Sequence, residues 1–185
     1  NGMSIFLDAG STTAEITKII CRRIESRSLT RITIVTTSIN QADMLSDCCV
    51  SMGFDDEFSA IHLYVPGGQV RPATQAVVSL GSDSLPLRQV AEHVGGFDIA
   101  FVGVNGVHAE NGLTTNDNLE ALNKVEALKN ARRKFVVCDS SKIGIVLEKK
   151  FADFDDDLTL VVNRDETNSH FGELLGKWIE KVLVA

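Results

Sequence analysis

The sequence predicts an α/β fold: a mostly parallel sheet with helices on both faces. Strand-like and helix-like segments alternate almost from end to end, the pattern of parallel strands joined by crossover helices. The strand segments are continuous apolar or β-branched runs rather than alternating ones, as expected of strands covered on both sides. Polar, hydroxyl-rich segments follow the carboxyl ends of those strands, which is where open α/β sheets bind ligands.

The elements follow in order. Residues 4–8 predict the first strand and residues 13–25 a helix, with Ile16, Ile19, Ile20 and Ile24 at helical spacing. Thr12-x-x-Glu15 reads as a capping box at its start. Residues 32–37 are β-branched throughout and predict a buried strand. Ser38 or Asn40 suits the cap of a short helix through Leu45. A strand over 61–65 stops at Pro66-Gly67-Gly68. A helix over 83–94 tolerates Pro86 in its first turn. Residues 99–104 predict a strongly apolar strand, and 105–118 hold too much glycine and asparagine for regular structure. A helix over 118–131 has Asp117 as its cap and Glu120 three residues on. Strands over 135–138 and 158–162 and an amphipathic helix over 169–183, bearing Trp178, complete the chain.

Length and composition narrow the classes. The 185 residues suit one domain with a sizeable core. No apolar run approaches the roughly 18 residues of a membrane span, and no basic segment followed by an apolar one opens the chain as a secretory signal would. The net charge of −7 disfavours direct nucleic-acid binding, which needs clustered Lys and Arg. Arg22-Arg23, Arg132-Arg133-Lys134 and Lys149-Lys150 read as solvated ends of elements. The cysteines at 21, 48, 49 and 138 form no Cys-x-x-Cys pair and read as reduced cytosolic thiols. The four histidines form no i,i+4 pair, so no metal site is expected. The acidic run 153–157 reads as a solvated loop.

The first loop carries the chemistry. Asp8-Ala9-Gly10-Ser11-Thr12-Thr13 joins a strand to a helix with a small glycine and three hydroxyls. Free N–H groups of the first helical turn and the positive end of the helix dipole then face a guest, and a phosphate suits them. The loop is neither G-x-x-x-x-G-K-[ST] nor G-x-G-x-x-G, which disfavours nucleoside triphosphates and dinucleotides. Lys142, after Asp139-Ser140-Ser141, suits a counter-charge for that phosphate. Glu120 and Lys124 stand i,i+4; spacing alone reads them as a surface ion pair, while a sharper reading has Glu120 accepting ligand hydroxyls. Arg71, after Gly67-Gly68, suits an anion or a solvated side chain equally.

Taken together, Asp8–Thr13, Thr36-Thr37-Ser38-Ile39-Asn40, Gly67-Gly68-Gln69-Val70-Arg71, Phe101-Val102-Gly103-Val104-Asn105-Gly106-Val107, Gly112-Leu113-Thr114-Thr115 with Glu120 and Lys124, and Asp139-Ser140-Ser141-Lys142 fall in register. In order and spacing they resemble the sensor domain of DeoR-family transcriptional repressors, over residues 4 to about 165. The resemblance implies a fold similar to ribose-5-phosphate isomerase and the CoA transferases, a phosphorylated sugar or related metabolite as effector, and no cofactor. It implies a cytoplasmic, homo-oligomeric repressor that holds operator DNA through a winged helix-turn-helix ahead of this domain. That element is expected to be absent from this chain, so residues 1–185 form a single sensor domain. Ser11 stands where the family commonly has Thr, Asn105 where members vary, and residues 49–60 match no family pattern. The alternative is a sugar-phosphate aldose–ketose isomerase of the same fold. Such isomerases carry acidic residues where this chain has Val102-Gly103-Val104-Asn105-Gly106, so Glu120 as a base would lack its companions. A non-catalytic sensor is the preferred expectation.

Overall fold

The computed structural model describes residues 2–53, 60–80, 86–154 and 157–185. Its strands are β1 (Met3–Leu7), β2 (Ile32–Thr36), β3 (Ile61–Tyr64), β4 (Gln69–Arg71), β5 (Ala76–Val78), β6 (Phe97–Gly103), β7 (Gly106–His108), β8 (Gly112–Thr115), β9 (Ala131–Cys138), β10 (Lys149–Ala152), β11 (Thr159–Val162) and β12 (Val182–Val184). Its helices are α1 (Ser11–Glu25), α2 (Ile39–Ser51), α3 (Pro86–Val94), α4 (Asn118–Lys129) and α5 (Ser169–Trp178).

Seven strands form one sheet in the order β12-β11-β9-β6-β1-β2-β3, and every pairing in it is parallel. The chain builds outward from β1 through β2 to β3, then returns to β6 and builds the other way. Strand order therefore reverses between β1 and β6, and the crevice expected at such a switch point opens there.

Period-two alternation sorts side chains to the two faces. Ile5 and Leu7 of β1 and Ile34 of β2 meet Ile20, Cys21 and Ile24 of α1 and Leu45 and Cys48 of α2. Phe6, Val35, Ala100, Val102 and Val136 point the other way, against Leu87 of α3, Ala121, Ala127 and Leu128 of α4, and Phe171 and Leu174 of α5. Each large aliphatic side chain so buried contributes about 1.5–3 kcal/mol. Hence α1, which carries Ser11, Thr12 and Thr13, and α4, which carries Glu120 and Lys124, stand on opposite faces of the sheet.

The structure revises several boundaries. The capping box does not form: Gly10 occupies the α1 cap position with no side-chain cap. The Thr13 hydroxyl turns inward to donate to the carbonyls of Asp8 (2.7 Å) and Gly10 (3.0 Å), and Glu15 pairs with Lys18 instead. Ile19 is exposed. Helix α2 runs on to Ser51, capped by Ser38, whose hydroxyl accepts from Gln41 N–H. The segment 105–118 is not irregular. It holds the β7–β8 hairpin, which with β10 makes a three-stranded antiparallel sheet. A second hairpin, β4–β5, follows Gly67-Gly68. The last helix stops at Trp178, and a 3-10 turn leads into edge strand β12. The start of the helix expected from residue 83 and part of the acidic run 153–157 lie outside the described residues.

Candidate functional site

The floor of the crevice is built around Asp8. Its backbone N–H still pairs with the Phe101 carbonyl (3.0 Å), so the residue leaves the sheet only with its side chain. That carboxylate is buried. Oδ2 accepts from the backbone N–H of Gly103 (3.0 Å) and from the Lys124 ammonium, and Oδ1 from the Thr37 hydroxyl (3.3 Å). One side chain thus ties together the ends of β1, β2 and β6 and the middle of α4. Lys124 is as buried as its partner and also donates to the Gly103 carbonyl (2.9 Å). The i,i+4 surface pair with Glu120 does not form. Residue 124 lies on the inward face of α4, where Asp8 meets its charge.

Behind this pair sits a polar cluster around Gln41 and Thr17, residues that no motif of the sequence marks. Gln41, buried at the start of α2, donates to the Asp8 carbonyl (3.0 Å) and to Thr13 Oγ1 (3.1 Å), while its Oε1 accepts from Thr17 (3.0 Å). These bonds fix the entry of α1. The first intrahelical bond runs from Ala14 N–H to Gly10 O. The N–H groups of Ser11, Thr12 and Thr13 precede it and are left for the crevice. A Cβ at Gly10 would meet nothing nearer than Thr13 Oγ1 at 3.4 Å. Packing does not demand glycine there; the missing side chain leaves the mouth open.

The crevice has a volume of about 220 Å³. Of the residues expected at a site, Gly10, Ser11, Thr12, Thr13, Gly103, Asn105, Glu120, Lys124, Asp139 and Lys142 line it. Thr74, Ala76 and Cys138 join them. Thr74 lay in a hairpin that no strand pattern disclosed, and Cys138 read as the end of a core strand. Asp8 lies beneath. Ser38, Asn40, Gly67, Gly68 and Arg71 do not line the crevice. Ser38 caps α2, Asn40 is exposed on its first turn, and Gly68 is held by β5, where a Cβ would fall 2.2 Å from the Val78 carbonyl oxygen. Arg71 is engaged within the protein: its guanidinium spans Asp117 (2.6 Å) and Glu120 (3.1 Å) at the head of α4. Asp117 Oδ1 accepts from the N–H groups of Leu119 and Glu120, the expected cap.

The electrostatics are mixed. Lys142, half-buried in the turn after β9, makes no ion pair among the described residues. Asp139 spends its carboxylate on the hydroxyl and backbone N–H of Ser141; the hydroxyl bond above all holds its pKa below the usual carboxylate range. Burial pushes the Cys138 thiol up to about 12, so it is a neutral group at the crevice wall. Asn105 Oδ1 accepts from the Thr115 hydroxyl (2.8 Å), which commits the carbonyl side of its amide. Among the described residues, no three His, Cys, Asp or Glu side chains are grouped to hold a metal ion, and no helix is long and apolar enough to cross a membrane.

A parallel sheet with this polar crevice over its switch point defines an α/β domain of the ligand-pocket type. The chain belongs to the DeoR C-terminal sensor domain family, whose model matches residues 1–164. It is similar to the uncharacterized HTH-type transcriptional regulator FruR of Bacillus subtilis (strain 168), with 33% identity over 98% of this chain and 62% of that protein. It is also similar to the HTH-type transcriptional regulator GlpR of Haloferax volcanii, with 27% identity over 77% of this chain and 47% of that protein. The chain thus spans about half to three-fifths of these relatives' length. Among solved structures, ribose 5-phosphate isomerase A from Methanocaldococcus jannaschii aligns with 81% of this chain and 48% of its own, at 22% identity and a TM-score of 0.44.

Proposed function

We propose that this chain is the effector-binding domain of a transcriptional repressor and that its effector is a phosphorylated sugar. The observation that carries the reading is the meeting, in one crevice, of the uncapped N-terminus of α1 with Lys142, which makes no ion pair among the described residues. Backbone N–H groups, a helix dipole, hydroxyls and one flexible ammonium together suit a phosphate. The opposite wall offers Glu120 as an acceptor and Asn105 as a donor for sugar hydroxyls. Asp8, Lys124 and Gly103 hold the floor, and Ser38 and Gly67-Gly68 shape the segments above it. Operator DNA is then bound by a helix-turn-helix domain outside this chain, in a cytoplasmic homo-oligomer. The effector acts by its difference in affinity for the two states of the assembly. The chain itself performs no catalysis on this reading.

Thermal unfolding against a panel of hexose and pentose phosphates, each beside its free sugar, tests the proposal. A ligand at a hundred times its Kd stabilises by about 2.7 kcal/mol, a rise of roughly 5–11 °C for a chain of this size. Stabilisation by phosphates but not by their free sugars is expected. Equal stabilisation by the free sugars removes the phosphate from the site, and ketose–aldose turnover lost in Glu120→Gln would make the chain an enzyme.

A further inference from the structure

The groups around the crevice restrict what its ligand carries beyond the phosphate. Among the described residues, four carboxylates, Asp8, Asp117, Glu120 and Asp139, stand against three cations, Arg71, Lys124 and Lys142. One negative charge is in excess. The attraction for an anion is therefore local, confined to the α1 N-terminus and Lys142. Helices α1 and α4 stand on opposite faces of the sheet, so the wall across from the α1 N-terminus is the head of α4. There a guanidinium shared by two carboxylates leaves that wall one charge negative.

Arg71 reaches this wall from the β4–β5 hairpin. The hairpin is fixed along β5 and at its turn: Val77 N–H donates to the Thr37 carbonyl (2.7 Å), the Asn123 amide donates to the Val77 carbonyl (2.9 Å), and Ile39 N–H donates to the Gln75 carbonyl (3.0 Å). Its tip brings Thr74 to the crevice. The guanidinium takes one oxygen of Glu120, which fixes the carboxylate and leaves its other oxygen as an acceptor on the crevice wall.

Building on the proposed function, we infer that Arg71 is a positioning residue for Glu120, and that the Arg71–Asp117–Glu120 group selects a ligand with one phosphate and a neutral, hydroxyl-bearing far end. Glu120 accepts hydrogen bonds from that end, and a second phosphate there is repelled. The crevice thus takes sugar monophosphates and refuses bisphosphates of the same sugar.

Calorimetric titration of a ketohexose monophosphate and the matching bisphosphate tests this, with the monophosphate chosen as the tightest of the 1- and 6-esters. The monophosphate is expected to bind about tenfold or more tightly, an energy difference of about 1.4 kcal/mol. Glu120→Gln brings the ratio toward one. Arg71→Met weakens the monophosphate and widens the ratio, because it leaves both carboxylates unpaired. Arg71→Lys, which restores the charge, returns the ratio toward wild type. A hairpin needed only for folding would weaken both ligands alike and leave every ratio unchanged, and that result overturns the inference. Equal binding of the two esters to wild type also overturns it while the sugar-phosphate reading stands; binding of neither, with free sugars bound instead, overturns both.

Discussion

Lys124→Met breaks the buried pair at the centre of the crevice floor and leaves Asp8 charged and buried without its counter-ion. Both side chains are almost wholly buried, at 4% and 7% exposure. Once the ammonium is gone, the carboxylate keeps two neutral donors, Gly103 N–H and the Thr37 hydroxyl. Removing one partner of a buried pair costs about 3–5 kcal/mol, chiefly because an uncompensated charge remains. At roughly 2–4 °C per kcal/mol for a chain of this length, the midpoint should fall by about 6–20 °C. Urea unfolding followed by circular dichroism at neutral pH gives the free energy directly. The double variant Asp8→Asn/Lys124→Met removes the charge while retaining an oxygen for Gly103, and should recover half or more of the loss. A single variant within about 1 kcal/mol of wild type, or a double variant no more stable than the single, would refute the view that this pair holds the floor.

Lys142→Ala should weaken a phosphorylated effector about tenfold, the scale of one charge-assisted hydrogen bond, and leave the unfolding midpoint of the free chain unmoved; titration and thermal unfolding read the two separately. Gly68→Ala drives a Cβ to 2.2 Å from the Val78 carbonyl oxygen at a φ of +151° and should cost about 1–3 kcal/mol, whereas Gly67→Ala, with nothing within 4 Å, should be near neutral in the same urea experiment. Glu126 is buried and bound by both nitrogens of a fork from Arg88 (2.9 Å each); that bond, against the opposing effect of burial, holds its pKa below 4.5. Its folded pKa lies below the unfolded one, so its stabilisation is present above about pH 4.5 and lost as pH falls through the lowered value. Glu126→Gln should therefore be less stable than wild type at neutral pH and lose less stability between pH 5 and 3.

The sheet was legible because buried parallel strands write themselves as apolar or β-branched runs: β2 and β6 fall within two residues of the expected spans 32–37 and 99–104. The antiparallel pieces were not. Gly112–Thr115 is buried along its whole length, yet two of its residues are threonines. Thr114 donates to the Gly106 carbonyl and Thr115 to Asn105, so the hydroxyls are satisfied where they stand. A hydropathy pattern sees a polar loop; the hydrogen bonds make it a strand. Gly106 misleads in the same way, since it is the only fit against the Ile145 carbonyl, 2.6 Å from a would-be Cβ. At the site, eight of the ten expected residues that line the crevice stand at or just after the ends of β1, β6 and β9, and strand ends are what the pattern locates. Arg71 and Lys124 were harder to read. Their roles depend on which carboxylate lies opposite, 46 to 116 residues away in the chain, and local spacing carries no such distance.

The reversal of strand order between β1 and β6 divides the crevice by position in the chain as well as by space. Everything offered to the phosphate by α1 comes from the first third of the chain, whereas Gly103, Asn105, Glu120 and Lys124 come from beyond the midpoint. Gly103 and Lys124 are tied to Asp8, but substitutions at Asn105 and Glu120 can retune which hydroxyls are read while the earlier cradle stays as it is. On the proposed reading, a graft of residues 103–124 between members of the family is the shortest exchange that should change the sugar without changing the handle by which it is held.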